Sequence, residues 1–435
     1  CGFGWVRRYL LFCCGRTGDG LDGWRERELD RSEASGAEPE WAMTASAWVN
    51  EMVELRRSIH QQPELAWNEV DTAKAILAWL NRHSIQARTD IGGGGVVVDI
   101  PGADREAPVV AIRADMDALP IQERTGLPFA SQRDGVMHAC GHDGHSAMLC
   151  GAAVLLNQWS LEGRLPGTIR LIWQPAEETG SGAQAMVQAG VLDRVKVIFG
   201  GHIDRQASLG VMWIGPGAVN ASCDNIDIQV VGRQAHGARP HLGVDALLVA
   251  SQLVVAIQSV VARELPPGDP AVVSIGVIRA GDARNVLAGH ATLQGTIRTM
   301  DEGVRSALHR SLVRVAEGVG EASGAKVEVS IERGTPAVIN SPIATVLACE
   351  VARCVEGVET VEPMPHANLG GEDFACYLDD VPGCYVRFGA CSPSLQQCGP
   401  AHSATFDFDE RVLVMGAKWF AQIAQEASSP HRSFG

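Results

Sequence analysis

Apolar residues along the chain fall into runs whose spacing switches between helical and extended. From Ala47 to Arg82 they recur at helical intervals, with Val49, Met52, Val53 and Ile59 in one run and Ala73, Ile76, Leu77 and Leu80 in the next. Pro63 separates the runs, which predicts two helices joined near His60–Glu64. Gly92–Gly95 leads into Val96-Val97-Val98. With no helix behind it, this glycine run reads as a hairpin turn and not as a phosphate loop. Val109–Ala114 is almost wholly apolar, the pattern of a strand buried on both faces. A helix over Ser146–Trp159 and strands at Thr168–Trp173 and Val197–Phe199 follow.

From Asp224 the pattern changes. A strand (Ile226–Val231), a long apolar helix (Val244–Val261), strands near Ala271–Ile278 and Ala291–Thr299, a helix (Val304–Val319) and a strand (Lys326–Ile331) give the order βαββαβ. That order predicts a ferredoxin-like α+β sandwich inserted into a larger α/β domain. Pro336–Ser341 marks the return, followed by helices near Ile343–Val355 and Asp373–Leu378, a strand at Cys384–Phe388 and a last helix at Glu410–Ala424. The expected organisation is a catalytic domain over 43–223 and 335–435, with the insert at 224–334. Residues 1–42 are expected to be a leader without consequence for the fold, because Thr17–Glu40 is charged, Gly-rich and patternless.

Composition narrows the function classes. A net charge of -15 disfavours nucleic acid as a partner. No run of 18 apolar residues exists, so no membrane span is expected, and the short apolar run Tyr9–Cys14 does not make a signal sequence. Twelve cysteines show no disulfide spacing; Cys349, Cys354 and Cys376 read as buried small hydrophobes, and a reducing cytoplasm fits best.

The chemistry concentrates in Met137-His138-Ala139-Cys140-Gly141-His142-Asp143-Gly144-His145, where three imidazoles, a thiol and a carboxylate share nine residues. Around it, Asp115-Met116-Asp117, Glu177-Glu178 and His202 each follow a separate apolar strand, the edge of an open α/β sheet where sites collect. With His402 from the far side of the insert, the candidate ligands are Cys140, His142, Glu178, His202 and His402. Five ligands exceed the need of one tetrahedral zinc and suit two metals sharing a bridging ligand. Asp117 would steady a ligand imidazole, and Glu177, left free, would serve as general base. His145 reads as support and His366 has no assignment. Arg239 and Arg387 are candidates for holding a substrate carboxylate, and Glu372-Asp373 could cap the following helix.

These stretches, taken as Arg113–Pro120, His138–His145 and Gln174–Glu178 with His236–His241, Gly370–Phe374 and His402-Ser403 before Phe408–Glu410, resemble the M20 metallopeptidase family. The similarity runs from about Met43 to Glu426 and is to the amidohydrolase branch that cleaves N-acyl amino acids, hippurate and auxin conjugates. It implies a zinc-peptidase-like mixed-sheet domain and a two-metal centre of zinc, manganese, cobalt or nickel, with Cys140 as the bridging residue. It further implies Glu177 as base, Asp117 as orienting residue, and an insert that acts as lid and homodimer interface. In that scheme His236 completes the partner's site as oxyanion donor and Asn285 approaches the substrate. The chain departs from the pattern at Gly200-Gly201-His202 with Asp204-Arg205, and at Val286-Leu287-Ala288 after Asn285, which implies a different pocket wall and lid edge. The expected activity is hydrolysis of an N-acyl amino acid. An aminopeptidase or dipeptidase on the same scaffold would instead need an acidic group for the substrate amine. A non-catalytic metal-binding protein of this fold would lack ligands or base, and none is missing.

Overall fold

A computed structural model describes residues 47–366, 368–395 and 398–434. The expected leader lies outside the described residues. α1 (Ala47–Gln61) and α2 (Val70–Arg82) are separated around Pro63, as the spacing predicts, and turn Met52, Ile59, Ile76 and Leu80 inward. β1 (Arg88–Ile91) and β2 (Gly95–Ile100) form an antiparallel hairpin, so the glycine run is a turn. β3 (Val109–Asp115) is buried throughout. α3 (His142–Leu161) begins before the expected Ser146, because the first turn of the helix is built from the Cys/His stretch itself. β4 (Ile169–Gln174), α4 (Gly182–Gln188) and β5 (Val195–Ser208) follow. β5 is much longer than Val197–Phe199 and carries His202 inside the strand. Two short strands, β6 (Val211–Trp213) and β7 (Gly217–Asn220), lead to the insert.

The insert comprises β8 (Ser222–Val231), α5 (Ala246–Glu264), β9 (Ala271–Ala280), β10 (His290–Thr299), α6 (Glu302–Ser323) and β11 (Lys326–Arg333). Its antiparallel sheet has the order β11-β8-β10-β9. Alternate residues Ile226, Ile228 and Val230 of β8 meet Val249, Leu253 and Ile257 of α5 and Leu308 and Leu312 of α6 in a separate apolar core. The ferredoxin-like order is thus realised. Among the described residues α5 is the one helix long and apolar enough to cross a membrane, and its inner face instead packs in this core.

After the return come β12 (Val338–Asn340), α7 (Pro342–Ala352), β13 (Thr360–Glu362), α8 (Ala375–Leu378), β14 (Gly383–Cys391) and α9 (Arg411–Ala427). α7 stops before the expected Val355, which leaves Cys354 beyond the helix and exposed, contrary to its reading as a buried residue. The main sheet is mixed, in the order β1-β2-β4-β3-β5-β14-β6-β13. β4, β3, β5 and β14 run parallel, so their C-terminal ends share one edge. β3 lies between β4 and β5, and the chain crosses from one of its sides to the other, which opens a crevice at that edge. α4 and α8 cover one face with Met186, Phe374 and Tyr377. α3 and α9 cover the other, where Trp419 meets Phe388 at 5.6 Å and Phe199 at 6.4 Å.

A buried ionic cluster ties α1 to the first turn of α3. Arg56 donates to Asp143 at 2.8 Å, to Glu410 at 3.1 Å and to Asp407 at 3.2 Å, while His60 meets the same Asp143 oxygen at 2.8 Å. Burial pushes the Asp143 carboxyl up, but Arg56 and His60 outweigh it and hold it well below the usual carboxylate range. Asp143 is therefore ionised in the folded chain and stabilises it above its ordinary pKa, an effect lost only as acid protonates it. Asp143→Asn is expected to cost about 3 kcal/mol at pH 7, because the buried guanidinium loses a counter-charge. Denaturant unfolding at pH 7 measures it, and a change well under about 1 kcal/mol would show that Asp407 and Glu410 suffice alone.

Candidate metal centre

The first turn of α3 assigns each of its polar side chains a different direction. Gly141 precedes the helix at φ +108, a left-handed conformation that reverses the chain so that Cys140 and His142 both reach the crevice. His142 points its Nδ1 at Asp117, 2.9 Å from the carbonyl oxygen and 3.2 Å from Oδ1. His145 sits one turn on, with Nδ1 2.7 Å from Asp115 Oδ1 and Nε2 accepting the Ile203 N–H at 2.8 Å. Both of its ring nitrogens are thereby used, which makes His145 a support, as expected. Ser146 donates to the Asp115 carbonyl at 2.7 Å. His138 is buried with neither ring nitrogen partnered, and burial pushes its pKa down to about 3, so it is neutral.

The other candidates arrive from separate elements. β4 ends at Gln174, and the bend after it carries Glu177 and Glu178. β5 delivers His202, whose Nδ1 is 2.7 Å from the Ile203 carbonyl oxygen and whose Nε2 is 3.3 Å from Cys140 Sγ. His402 lies on the loop before α9, half exposed and at φ +63, with Nε2 3.5 Å from Glu178 Oε1. Its N–H donates to the Ala139 carbonyl at 2.7 Å, which ties the loop to the Cys140 stretch. The donor atoms form two groups that share the thiol, Cys140/His142/His202 and Cys140/Glu178/His402. His142 Nε2 also lies 3.9 Å from Glu178 Oε1 and 3.9 Å from Glu177 Oε2.

Two observations test whether these residues fit a cation. His142 Nε2 and Glu178 Oε1 are buried without a hydrogen-bond partner, although such groups are nearly always satisfied. For both His142 and His202, the Nδ1 bond to a carbonyl oxygen places a proton on Nδ1 and turns Nε2 toward the cluster. Burial pushes the Cys140 thiol far up and, with Arg387, the His202 imidazole well down. A divalent cation reverses the first effect and uses the second. The donor set fits a soft or borderline metal ion.

Beneath the cluster, Arg113 is buried against Asp115 at 2.6 Å, Asp373 at 2.8 Å and Glu372 at 3.2 Å. Asp373 also accepts the Ala183 N–H at 2.9 Å and so holds the start of α4, while Glu372 accepts from Tyr385 at 2.5 Å. This pair does more than cap the next helix. Burial, then Glu372 and Asp373, push the Glu177 carboxyl well above its ordinary range.

A cavity of about 870 Å³ opens in front, lined by Cys140, Glu177, Glu178, His202, His402 and Arg387 among others. Arg387 is only 4% exposed, with its Nη2 on Asn220 at 2.7 Å and its Nε unpartnered. His236, Arg239 and Asn285 are exposed on the insert and do not line this cavity. Two of the lining arginines are not among the site residues expected from the sequence. Arg298 faces the cavity from β10, and Arg205 donates to carbonyls of Leu395, Gly399 and Asp407, stapling the His402 loop to β5. The Asp204-Arg205 departure was the one signal available for the second.

A family model described as peptidase family M20/M25/M40 matches residues 111–426. The chain belongs to this family. An N-acetylcysteine deacetylase of Bacillus subtilis (strain 168) is 39% identical over 388 residues, 88% of this chain and 98% of that protein. Thermostable carboxypeptidase 1 of Saccharolobus solfataricus is 37% identical over 385 residues, 88% of this chain and 96% of that one. Among solved structures, a dinuclear metal-binding peptidase of the M20 family from Bacillus subtilis superimposes with a TM-score of 0.77 at 37% identity, covering 88% of this chain and 98% of that one. The M20 chain described here is thus a metal-dependent hydrolase with a metal-binding site at the sheet edge.

Binding of a cation to the folded chain alone stabilises it by mass action. Chelator-stripped protein should gain about 4 kcal/mol when Zn²⁺, Mn²⁺ or Co²⁺ is restored at roughly a thousand times its Kd, and Cys140→Ser should lose most of that gain. Thermal melting reads both, and stripped and loaded proteins that melt together would count against the site.

Proposed function

We propose that this M20 hydrolase cleaves the amide bond of N-acyl amino acids. The observation that carries the reading is a single cavity lined by Cys140, Glu178, His202 and His402 of the ligand cluster, by Glu177, a carboxyl outside the two donor groups that share the thiol, and by the buried guanidinium of Arg387. An N-acyl amino acid presents an amide next to a free carboxylate, and those two groups answer both features. The deacetylase relative acts on a substrate of this kind by its name.

In this reading Cys140, His142, Glu178, His202 and His402 would hold two divalent ions, zinc or another of manganese, cobalt and nickel, Cys140 belonging to both donor groups. The dinuclear description of the solved relative supports the number. Bound there, the ions would polarise the scissile carbonyl and acidify the attacking water. Asp117 keeps the His142 imidazole in the tautomer that offers Nε2. Glu177 takes a proton from the water as its oxygen bonds to the carbonyl carbon. It then gives that proton to the nitrogen as the C–N bond breaks, leaving a carboxylate and a free amine. Arg387 anchors the substrate carboxylate, while Arg239 and Asn285 approach it from a lid.

The lid belongs to a second copy of the chain. β9 is an unpaired edge of its sheet, and Val272 and Ile278 on it, with Leu247, Leu248 and Val255 on α5, are large apolar residues left exposed. A homodimer through 224–334 covers them and carries His236 to the partner's cavity, where it donates to the developing oxyanion. Asp204 also lines the cavity and favours a second reading, a dipeptide or longer peptide with a free amino terminus.

A panel of N-acetyl and N-benzoyl amino acids against free-amine dipeptides decides between the readings, and activity on the dipeptides alone would overturn the first. Glu177→Gln should lower kcat by about 10²–10⁴-fold while metal content stays unchanged. His236→Ala should cost about 3–4 kcal/mol of barrier, the loss of one oxyanion donor. Mixing these two inactive variants tests the exchange between copies. Half of the randomly formed dimers then hold one intact site, so roughly a quarter of wild-type activity should return. No recovery after verified subunit exchange would place His236 in its own chain's site or outside the chemistry.

A further inference from the structure

Glu69 has no part in the chemistry above, yet it is buried, 5% exposed, and its Oε1 accepts the Ala176 N–H at 2.7 Å. Ala176 is held at φ +56, a left-handed conformation that L side chains avoid. It is the residue at which the chain leaves β4 and turns toward Glu177 and Glu178. Pro175 before it brings no N–H, so the Ala176 amide is the first donor available after the strand. The bend is closed tightly on its far side. Gly180 donates to the Glu177 carbonyl at 2.7 Å and Gly182 to the Ala176 carbonyl at 3.1 Å, and a Cβ at Gly182 would lie 1.7 Å from the Pro175 oxygen. Glu178 itself donates its N–H to Asp117 Oδ2 at 2.9 Å. Two carboxylates from outside the bend therefore hold amides on either side of Glu177.

Glu69 is itself well anchored. Glu64 accepts the Asp71 and Thr72 N–H groups at 2.8 Å each, and the Glu69 carbonyl accepts from Ala73 at 3.0 Å. The start of α2 is thus rigid where it meets the bend. We propose that Glu69 is a positioning residue for the Glu177–Glu178 pair, holding Ala176 left-handed so that one carboxylate reaches the metal cluster and the other stays free. The inference rests on the reading of Glu178 as a ligand and Glu177 as the base. Without the tether, Ala176 relaxes toward a right-handed or extended conformation, and both carboxylates swing away from His142 and His402.

The test measures metal affinity by competition with a chromophoric chelator, alongside kcat on an N-acyl amino acid, for the full chain carrying Glu69→Ala, Ala176→Gly or both. Glu69→Ala should weaken metal binding and lower kcat by about 10–100-fold each, the range for residues that orient ligands. Glycine takes positive φ freely, so Ala176→Gly alone should stay within about threefold of wild type, and in the Glu69→Ala background it should recover most of the lost affinity. Should Glu69→Ala fail to fold, Glu69→Gln keeps an oxygen acceptor of the same reach and should stay within about threefold. Affinity and kcat within twofold of wild type for Glu69→Ala, a double variant as impaired as Glu69→Ala, or a large loss in Glu69→Gln would each overturn the proposal. Glu178→Ala separates the two levels of the argument. If it leaves metal affinity unchanged, the ligand reading fails and the inference falls with it; if it weakens binding while Glu69→Ala does not, the inference alone fails.

Discussion

The structure depends on a small volume at one sheet edge where donor atoms are buried and left without protein partners. His142 Nε2 and Glu178 Oε1 are such atoms, and the Cys140 thiol stands between the two groups that contain them. An unpaired buried polar group costs about 1–3 kcal/mol, so a fold that keeps several together needs something to bind them. Every neighbour reinforces that need. The Nδ1 atoms of His142 and His202 are committed to carbonyls, and both nitrogens of His145 are taken. The Nε2 atoms of His142 and His202 are left to face the Cys140 thiol.

Around that place the charges are arranged in shells. Two buried guanidiniums stand behind it, each among carboxylates: Arg56 with Asp143, Asp407 and Glu410, and Arg113 with Asp115, Glu372 and Asp373. Neither guanidinium pairs with Glu177 or Glu178, the carboxylates nearest the cluster. The consequence is a site whose frame is electrically settled while its contents are not. Glu177 shows this most plainly, because burial first, and then Glu372 and Asp373, raise its affinity for a proton beside the cluster. The same frame connects α1, α3 and the loop before α9 to the metal cluster, so binding and folding are coupled through it.

Much of this was legible in the chain because strands deliver their last residues to one edge. Asp115 closes β3, Glu178 follows β4 and His202 lies within β5, three strands that are parallel neighbours, and the βαββαβ pattern of the insert is present in its antiparallel sheet. What was not legible depended on backbone conformation and on long-range pairs. The start of α3 at His142 follows from Gly141 at φ +108, which no apolar spacing announces. Arg56 and Glu69 lie on helices and loops far in sequence from Asp143 and Ala176, and their partners are single atoms without a periodic signature. Apolar spacing carries the helix after Ser341 past its true end at Ala352, and so places Cys354 inside when it is exposed. His236, Arg239 and Asn285 lie on the insert, away from the cavity of their own chain, so one chain alone does not bring all the proposed site residues together.

In the proposed reading one thiol serves two ions. Anomalous diffraction from crystals of the metal-loaded protein, recorded at the edge of the bound metal, tests it most directly. The account predicts two peaks per chain, each about 2.3 Å from Cys140 Sγ if the metal is zinc, one also touching His142 and His202 and the other Glu178 and His402. A single peak, or two peaks of which only one contacts Cys140, would contradict it.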